Sequence, residues 1–130
     1  VPETERGLCR QVAAALATGN NVVVDESSRA RRILSHLPDR VASRLCTTAD
    51  WSADGPISAA LIEGNVERVR AIAREIASLS GPLVLVQSAT TQELLADPEA
   101  YCLNWLLDEV STSINTTAAG GNVSLMALGI

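Results

Sequence analysis

The polar residues best placed to do chemistry lie directly after predicted strands. In chain order they are Asp25, Glu26, Glu63, Gly64, Gln87 and Ser88. Ligands of parallel α/β sheets bind outside the carboxyl ends of the strands, so a nucleotide would bind at these positions. However, no G-x-G-x-x-G follows any strand, and Asp25 and Glu63 would repel a pyrophosphate that lacked a compensating cation. We therefore interpret the set as structural or vestigial and keep a nucleotide-binding domain as the alternative hypothesis.

The cysteines and the histidine do not form a recognisable catalytic or metal-binding set. Cys9, Cys46 and Cys102 are widely spaced, without a CxxC pair or zinc-type spacing, and we expect them to be buried structural thiols. His36, the one histidine, is expected to end a helix, where its charge would favour the helix dipole. The absence of lysine excludes Schiff-base catalysis and a phosphate-loop lysine. A metal would have to be held by scattered carboxylates alone, so we predict no metal site.

Composition restricts the class of protein further. A formal net charge of −5 disfavours nucleic acid and anionic membranes as partners. Apolar residues make up 47% of the chain and aromatic residues 2%, so an aliphatic core is expected, as in helices packed on a parallel sheet. The scattered cysteines and the lack of a signal-peptide pattern indicate a cytoplasmic setting. The opening V-P-E-T-E-R, without Met, suggests a fragment of a longer polypeptide.

Alternating helical and strand patterns predict an α/β fold. Helices are predicted over residues 4–18, 29–37, 66–79 and 98–107, with solvent-facing arginines on the third, and strands over 22–24, 44–47, 59–62 and 83–86. Short links between them favour a Rossmann-like parallel sheet with flanking helices and right-handed crossovers. A doubly wound unit normally begins on a strand, whereas this chain begins on a helix. The first strand is expected either upstream in the parent protein or in part from the C-terminal hairpin.

The end of the chain predicts a C-terminal β-hairpin flap. Two extended runs, 111–117 and 122–128, flank Gly120 and Gly121, and no charge follows Glu109. An uncharged end of this length is expected to lie on a protein surface. We accordingly divide the chain into a Rossmann-like domain, 1–110, and a docking tail, 111–130. The expected docking residues are Asn115, Thr116, Thr117, Gly120, Gly121, Asn122, Leu125 and Met126. An ordinary edge hairpin and an oligomerisation module that pairs with its own copy are the alternatives.

Two stretches of the chain resemble known sequences. The stretch S-I-N-T-T-A-A-G-G-N-V-S-L-M-A-L-G, residues 113–129, closely resembles the motif that ends bacterial proline utilization A proteins. These are bifunctional flavoenzymes with proline dehydrogenase and aldehyde dehydrogenase modules. The stretch A-A-A-L-A-T-G-N-N-V-V-V, residues 13–24, looks like the helix-to-strand segment of aldehyde dehydrogenase cofactor domains.

The chain departs from the aldehyde dehydrogenase pattern at each cofactor position. Where that family has Lys-Pro-Ser after the strand, this chain has Asp25-Glu26-Ser27. The family's Phe-Thr-Gly-Ser turn is similar to Ile62-Glu63-Gly64-Asn65, in which only Gly64 is retained, and Glu-Leu-Gly-Gly is replaced by Gln87-Ser88-Ala89-Thr90. The resemblance thus implies no catalytic or cofactor-binding residues in this segment. Asp25, Glu63, Gly64 and Asn65 would be vestigial positions, and FAD and NAD would be bound elsewhere in the parent.

The resemblance also implies a role and a partner. It identifies the chain as the extra C-terminal domain of the longer proline utilization A proteins, which convert proline to glutamate. Such a domain is expected to be non-catalytic, to pack on the aldehyde dehydrogenase domain of the same polypeptide and to cover the tunnel that carries the pyrroline carboxylate intermediate. Any membrane contact would then be made by the parent protein only.

Overall fold

The computed structural model describes residues 1–51, 53 and 55–108, without the side chains of residues 28, 29 and 31. The predicted hairpin flap and tail, 111–130, lie outside the described residues and stay predictions. The same holds for all of the expected docking residues, which are Asn115, Thr116, Thr117, Gly120, Gly121, Asn122, Leu125 and Met126.

Helices and strands alternate along the described chain. In order they are α1 (Glu5–Ala17), β1 (Val22–Asp25), α2 (Ser28–Leu34), α3 (Asp39–Ala42), β2 (Leu45–Thr48), β3 (Ala59–Glu63), α4 (Val66–Ala77), β4 (Leu85–Ala89), α5 (Thr91–Ala96) and a 3-10 helix (Leu103–Leu106). The predicted α/β class is confirmed. Among the described helices, none is long and apolar enough to cross a membrane.

The strands pair in parallel, as predicted, but in two separate sheets. Strand β1 pairs with β2, with Val22 opposite Leu45, and β3 pairs with β4, with Ala59 opposite Leu85. Within the described residues each sheet therefore has two strands, instead of the single continuous sheet that the sequence predicted. The strands also carry more exposed positions than buried parallel strands usually do, since only Val24 of β1 is buried.

Side-chain caps fix the starts of the two long helices where the sequence predicted them. The Thr4 hydroxyl accepts a hydrogen bond from the Gly7 amide at 2.9 Å and begins α1. The Asn65 side chain accepts one from the Arg68 amide at 2.9 Å and begins α4. Each cap satisfies an amide that has no partner inside the helix, which stabilises a helix start by about 1 kcal/mol.

The helix predicted from Pro98 to Leu107 is wrong in extent, because only the short 3-10 helix Leu103–Leu106 lies within that range. An α-helix that the sequence did not predict, α5, comes before it and ends at Ala96, two residues before Pro98. A capping box begins it: the Thr90 hydroxyl accepts from the Glu93 amide, and the Glu93 carboxylate accepts from the Thr90 amide at 2.7 Å. Asp97 is extended, as residues before proline usually are, so Pro98 follows this helix instead of starting another.

Helix α1 packs on both sheets. Its Leu8 and Val12 form one apolar cluster with Val24 of β1, together with Ala30. On the other side the Gln11 amide nitrogen donates to the Tyr101 hydroxyl at 3.0 Å, and that hydroxyl donates to the Ile62 carbonyl of β3 at 3.1 Å. A second cluster joins Ala89, Leu94 and Tyr101. One helix therefore holds the two sheets together.

Adjacent leucines of α5 provide a matched test of this second cluster. Leu94 is 1% exposed and Leu95 is 52% exposed. We expect Leu94→Ala to lower the free energy of unfolding by about 2–5 kcal/mol, because it removes buried methyl groups and leaves a cavity. Leu95→Ala should change it by no more than about 0.5 kcal/mol. Urea denaturation of the two variants measures the difference, and equal losses would contradict the packing of α5 described above.

Candidate functional site

Glu63, at the end of β3, is the most enclosed polar side chain at the carboxyl ends of the strands. It is 0% exposed. Its Oε2 atom accepts hydrogen bonds from the Glu3 and Thr4 amides, both at 2.7 Å. Its Oε1 atom accepts from the hydroxyls of Thr4, at 2.7 Å, and Thr91, at 2.9 Å. The carboxylate is therefore fully surrounded by donors from the starts of α1 and α5.

This carboxylate lies where the α1 helix would attract an external anion. The first amides of a helix lack intrahelical partners, and the aligned peptide dipoles make that end partially positive. Gly7 leaves the space that Glu63 fills, because a Cβ atom on Gly7 would overlap the Glu63 carboxylate. The protein thus supplies its own anion to the start of α1.

The surroundings of Glu63 keep it ionised. Removal of the carboxylate from water raises its pKa, but the hydrogen bonds from Thr4, the Glu3 amide and the Thr91 hydroxyl together outweigh this effect. The pKa of Glu63 therefore lies below its ordinary value of 4.5. A general acid or base works best with a pKa near the operating pH, so this shift favours a structural role.

Gly64 and Asn65, the next two residues, shape the turn between β3 and α4. Gly64 has φ of +152°, and its amide donates to the Ala89 carbonyl at 3.1 Å. A Cβ atom there would collide with the Arg68 side chain. Arg68 Nε in turn donates to the Glu63 carbonyl at 3.0 Å, and its Nη2 donates to the Pro2 carbonyl at 3.3 Å. The arginine thus binds backbone of its own chain, and is half-buried instead of facing solvent as the sequence predicted.

Asp25 lies at the same end of the molecule but does not share the partners of Glu63. It is exposed at the end of β1, and its carbonyl accepts from the Ser27 amide at 2.8 Å. The carboxylates of Asp25 and Glu63 both act electrostatically on the Val1 nitrogen, which places Val1 near the ends of β1 and β3. The structure therefore brings the predicted strand-end acids to one region without joining them in a common site.

Gln87 is the other strand-end residue with a defined role. Its amide nitrogen donates to the Cys102 carbonyl at 3.1 Å, and its amide oxygen accepts from the Cys102 amide at 2.7 Å. This reciprocal pair holds the segment before the 3-10 helix against β4. Gln87 thus binds the chain's own backbone, while its neighbour Ser88 is exposed.

The predicted burial of the thiols is wrong. Cys9, Cys46 and Cys102 are all exposed. His36 lies in a turn after α2, which ends at Leu34 and not at Leu37 as predicted. In the described part of the chain, no group of three His, Cys, Asp or Glu side chains could hold a metal ion.

Sequence reasoning found Glu63 but missed the residues that bind it. Thr4 was recognised as a helix cap, yet its hydroxyl also donates to Glu63, 59 residues away. Thr91 and Gly7 carry no local motif that pairs them with a distant carboxylate. The one available signal was Gly7, a glycine at the third position of α1 whose amide is already capped by Thr4. A residue without a Cβ atom allows another group to come close to the helix backbone.

Replacement of Glu63 by glutamine tests the role of its charge. Glu63→Gln replaces one carboxylate oxygen by an NH2 group, which cannot accept the hydrogen bonds of the donors around it. At pH 7 we therefore expect the free energy of unfolding to fall by about 1–3 kcal/mol. Because the folded-state pKa is below 4.5, this stabilisation is complete above pH 4.5 and is lost as the pH falls through the folded value. The free energies of unfolding of the wild-type protein and of Glu63→Gln should therefore converge in strongly acidic solution. Denaturation from pH 7 to pH 3 measures this, and the exposed Glu75→Gln is the control. A constant difference over that range would contradict the assigned role.

Comparisons with known proteins identify the family. No family model matches the chain. The chain is 57% identical over 129 residues to the bifunctional protein PutA of Rhizobium meliloti, a match that covers 99% of this chain and 10% of that protein. It is 32% identical over 130 residues to PutA of Escherichia coli (strain K12), covering 99% and 10%, and 31% identical over 128 residues to PutA of Salmonella typhimurium, covering 98% and 9%. The chain thus spans about a tenth of the length of these curated relatives. The resemblance predicted from the sequence is confirmed, and the chain belongs to the bifunctional PutA family as a small segment of it.

Proposed function

We propose that this segment is a non-catalytic α/β domain of a cytoplasmic enzyme that oxidises proline to glutamate. It packs on the aldehyde dehydrogenase domain of the same polypeptide and seals the tunnel that carries the pyrroline carboxylate intermediate. The relatives are bifunctional proteins about ten times its length, which supports a parent with two activities. FAD and NAD are bound by other parts of that parent, and this segment contributes a surface.

The buried, hydrogen-bonded carboxylate of Glu63 is the observation that supports the non-catalytic part of the proposal. A dinucleotide in a parallel α/β domain places its pyrophosphate at a helix start near the strand ends. Here the start of α1 is already filled by a buried carboxylate with four donors. A pyrophosphate would have to displace it and would meet its negative charge. Saturable binding of NAD to the isolated chain at micromolar concentration would overturn this part of the proposal.

An exposed apolar strip supports the packing part of the proposal. The strip consists of Leu103, Trp105 and Leu107, which are 43%, 62% and 54% exposed. Exposed large apolar side chains this close in the sequence are typical of contact segments, and tryptophan is among the residues that contribute most to binding. The strip precedes the uncharged tail in the sequence, with Asp108, Glu109 and Val110 between them. In this proposal the strip and the tail contact the same partner surface on either side of these two charges.

A lid of this kind acts by shape and by exclusion of water. Intermediate that diffuses inside a closed tunnel reaches the second active site before it reaches solvent. Such a lid needs a complementary surface that remains closed during turnover, and it needs no titrating side chain. The low pKa of Glu63 and the use of Arg68 and Gln87 for backbone contacts agree with that requirement.

Deletion of residues 111–130 from the full-length parent tests the lid directly. We expect a longer lag before NADH appears from proline and a lower coupled rate, because intermediate escapes to solvent. Proline-dependent reduction of an artificial electron acceptor, which reports the first reaction alone, should not change. Unaltered lag and coupled turnover after the deletion would refute the lid.

A matched pair of substitutions tests the apolar strip. In the full-length parent, Trp105→Ser removes the largest exposed side chain of the strip, and Leu83→Ser changes a fully exposed leucine before β4. Loss of a tryptophan anchor weakens a contact by about 2 kcal/mol, so only Trp105→Ser should lengthen the lag. The same lag for both variants would show that the strip is not the contact surface. Urea denaturation of each variant separates loss of contact from loss of folding.

A further inference from the structure

An apolar groove runs between α1 and the segment that joins α5 to the 3-10 helix. Its volume is about 210 Å³. We call it the α1 groove, and its lining includes Ala13, Ala14 and Ala17 on the side of α1 and Leu94, Pro98 and Leu103 on the other side. Ala14 and Leu94 are buried and form the floor, whereas Ala13 and Ala17 are exposed at the rim.

The floor of the α1 groove suits an apolar occupant. Tyr101 also lines the groove, but its hydroxyl accepts from the Gln11 amide nitrogen at 3.0 Å and donates to the Ile62 carbonyl at 3.1 Å. In the described part of the chain, no buried side-chain polar atom lacks a hydrogen-bond partner. A polar group would therefore lose its water without finding a partner at the floor, whereas an apolar group would gain from burial.

The volume of the groove limits the occupant to one side chain. A cavity of about 150 Å³ holds a group of the size of benzene, whereas pockets for small-molecule ligands usually measure about 300–1,000 Å³. The α1 groove, at about 210 Å³, lies between these values. It therefore fits one large aliphatic or aromatic side chain and is too small for a dinucleotide.

Arg10 adds a positive charge to the lining of the groove. Its Nη1 atom donates to the Pro98 carbonyl at 3.1 Å and so connects α1 to the opposite wall. Among the described residues no carboxylate forms an ion pair with Arg10, and the carboxylate of Asp97 accepts from the Glu99 amide at 2.7 Å instead. The other N–H groups of the guanidinium are therefore available to a carboxylate, which they can bind in a planar, two-pronged geometry.

Hydrogen bonds hold both walls of the groove in place. The Asn20 side-chain nitrogen donates to the Leu106 carbonyl at 2.8 Å, which ties the 3-10 helix to the end of α1. The reciprocal bonds between Gln87 and Cys102 hold the residue before Leu103 against β4. Because its walls are already fixed, the groove pays little entropy when a side chain enters it.

We propose that the α1 groove receives one large apolar side chain from the aldehyde dehydrogenase domain of the same polypeptide, and that an Asp or Glu beside this side chain pairs with Arg10. The proposal rests on the packing stated under the proposed function. Leu103 belongs to both the groove and the apolar strip, so a partner that covers the strip also reaches the groove. The tail, residues 111–130, contains no Asp or Glu and does not match the charge of Arg10.

Alkylation of introduced cysteines in the full-length parent tests whether the groove is covered. Ala17→Cys places a thiol at the rim, and Ala77→Cys places one at the exposed end of α4 as the matched control. Mass spectrometry of the modified peptides gives each rate, which is divided by the rate of the same variant in urea. We expect Ala17→Cys to react at least about 10-fold more slowly than Ala77→Cys, because a docked surface reacts only when it opens. Equal normalised rates would overturn the proposal.

Substitution of Arg10 in the Ala17→Cys background tests the charge pair. Arg10→Gln should raise the alkylation rate at least about 5-fold, because it removes a hydrogen bond between charged groups. The control is Arg70→Gln on the exposed side of α4, which should leave the rate unchanged. An unchanged rate in Arg10→Gln, or the same increase in both variants, would overturn the pairing.

A photoreactive benzophenone attached to Ala13→Cys in the full-length parent identifies the occupant. Irradiation should join it to a peptide of the aldehyde dehydrogenase domain in which an Asp or Glu lies beside a large apolar residue. Cross-links confined to residues 109–130, cross-links between an isotope-labelled and an unlabelled copy, or no cross-link at all would overturn the proposal.

The groove contact and the tunnel lid can fail separately. If Trp105→Ser lengthens the lag while Ala17→Cys reacts as fast as Ala77→Cys, the lid stands and the groove contact is wrong. If deletion of residues 111–130 leaves the lag unchanged while the cross-link to the aldehyde dehydrogenase domain forms, the groove contact stands and the lid is wrong.

Discussion

The buried carboxylate of Glu63 is the interaction that most of the described structure depends on. A buried charge is tolerated only when hydrogen bonds replace its hydration. The four donors come from two places, the segment that enters α1 and the start of α5. Strand β3, helix α1 and helix α5 are therefore held at one point, and loss of any donor would leave part of a buried charge unsatisfied. This requirement fixes the position of the first four residues against the strand ends.

The amides and hydroxyls near the start of α1 are bound by Glu63, a side chain of the same chain. In a binding domain the helix amides at the strand ends remain available to a ligand. Here Glu63, Arg68 and Gln87 direct the polar groups of that region toward the chain's own backbone and side chains. In the proposed function, contact with the parent is therefore made by the outer surface, which includes the exposed apolar strip of Leu103, Trp105 and Leu107.

Local signals in the sequence predicted the local structure well. The Thr4 and Asn65 caps, the valine run of β1 and the parallel pairing were all anticipated, because each depends on neighbouring residues or on periodicity. The helix of residues 91–96 was not predicted, although Thr90 and Glu93 have the spacing of a capping box, and Pro98 follows this helix instead of starting one. The contacts of Glu63 and the exposure of the cysteines depend on which elements meet in space. One sequence does not contain that information, and only the resemblance to aldehyde dehydrogenases drew attention to Glu63, which it predicted to be a vestigial position.

The reciprocal hydrogen bonds between Gln87 and Cys102 have a consequence for recognition. They fix the backbone just before the apolar strip to strand β4, so this backbone would not have to become ordered if the strip met a partner. Ordering a mobile segment on contact costs conformational entropy, and a pre-ordered surface avoids that cost. Any contact made by the strip would therefore carry a smaller ordering cost than a contact made by a segment without such hydrogen bonds.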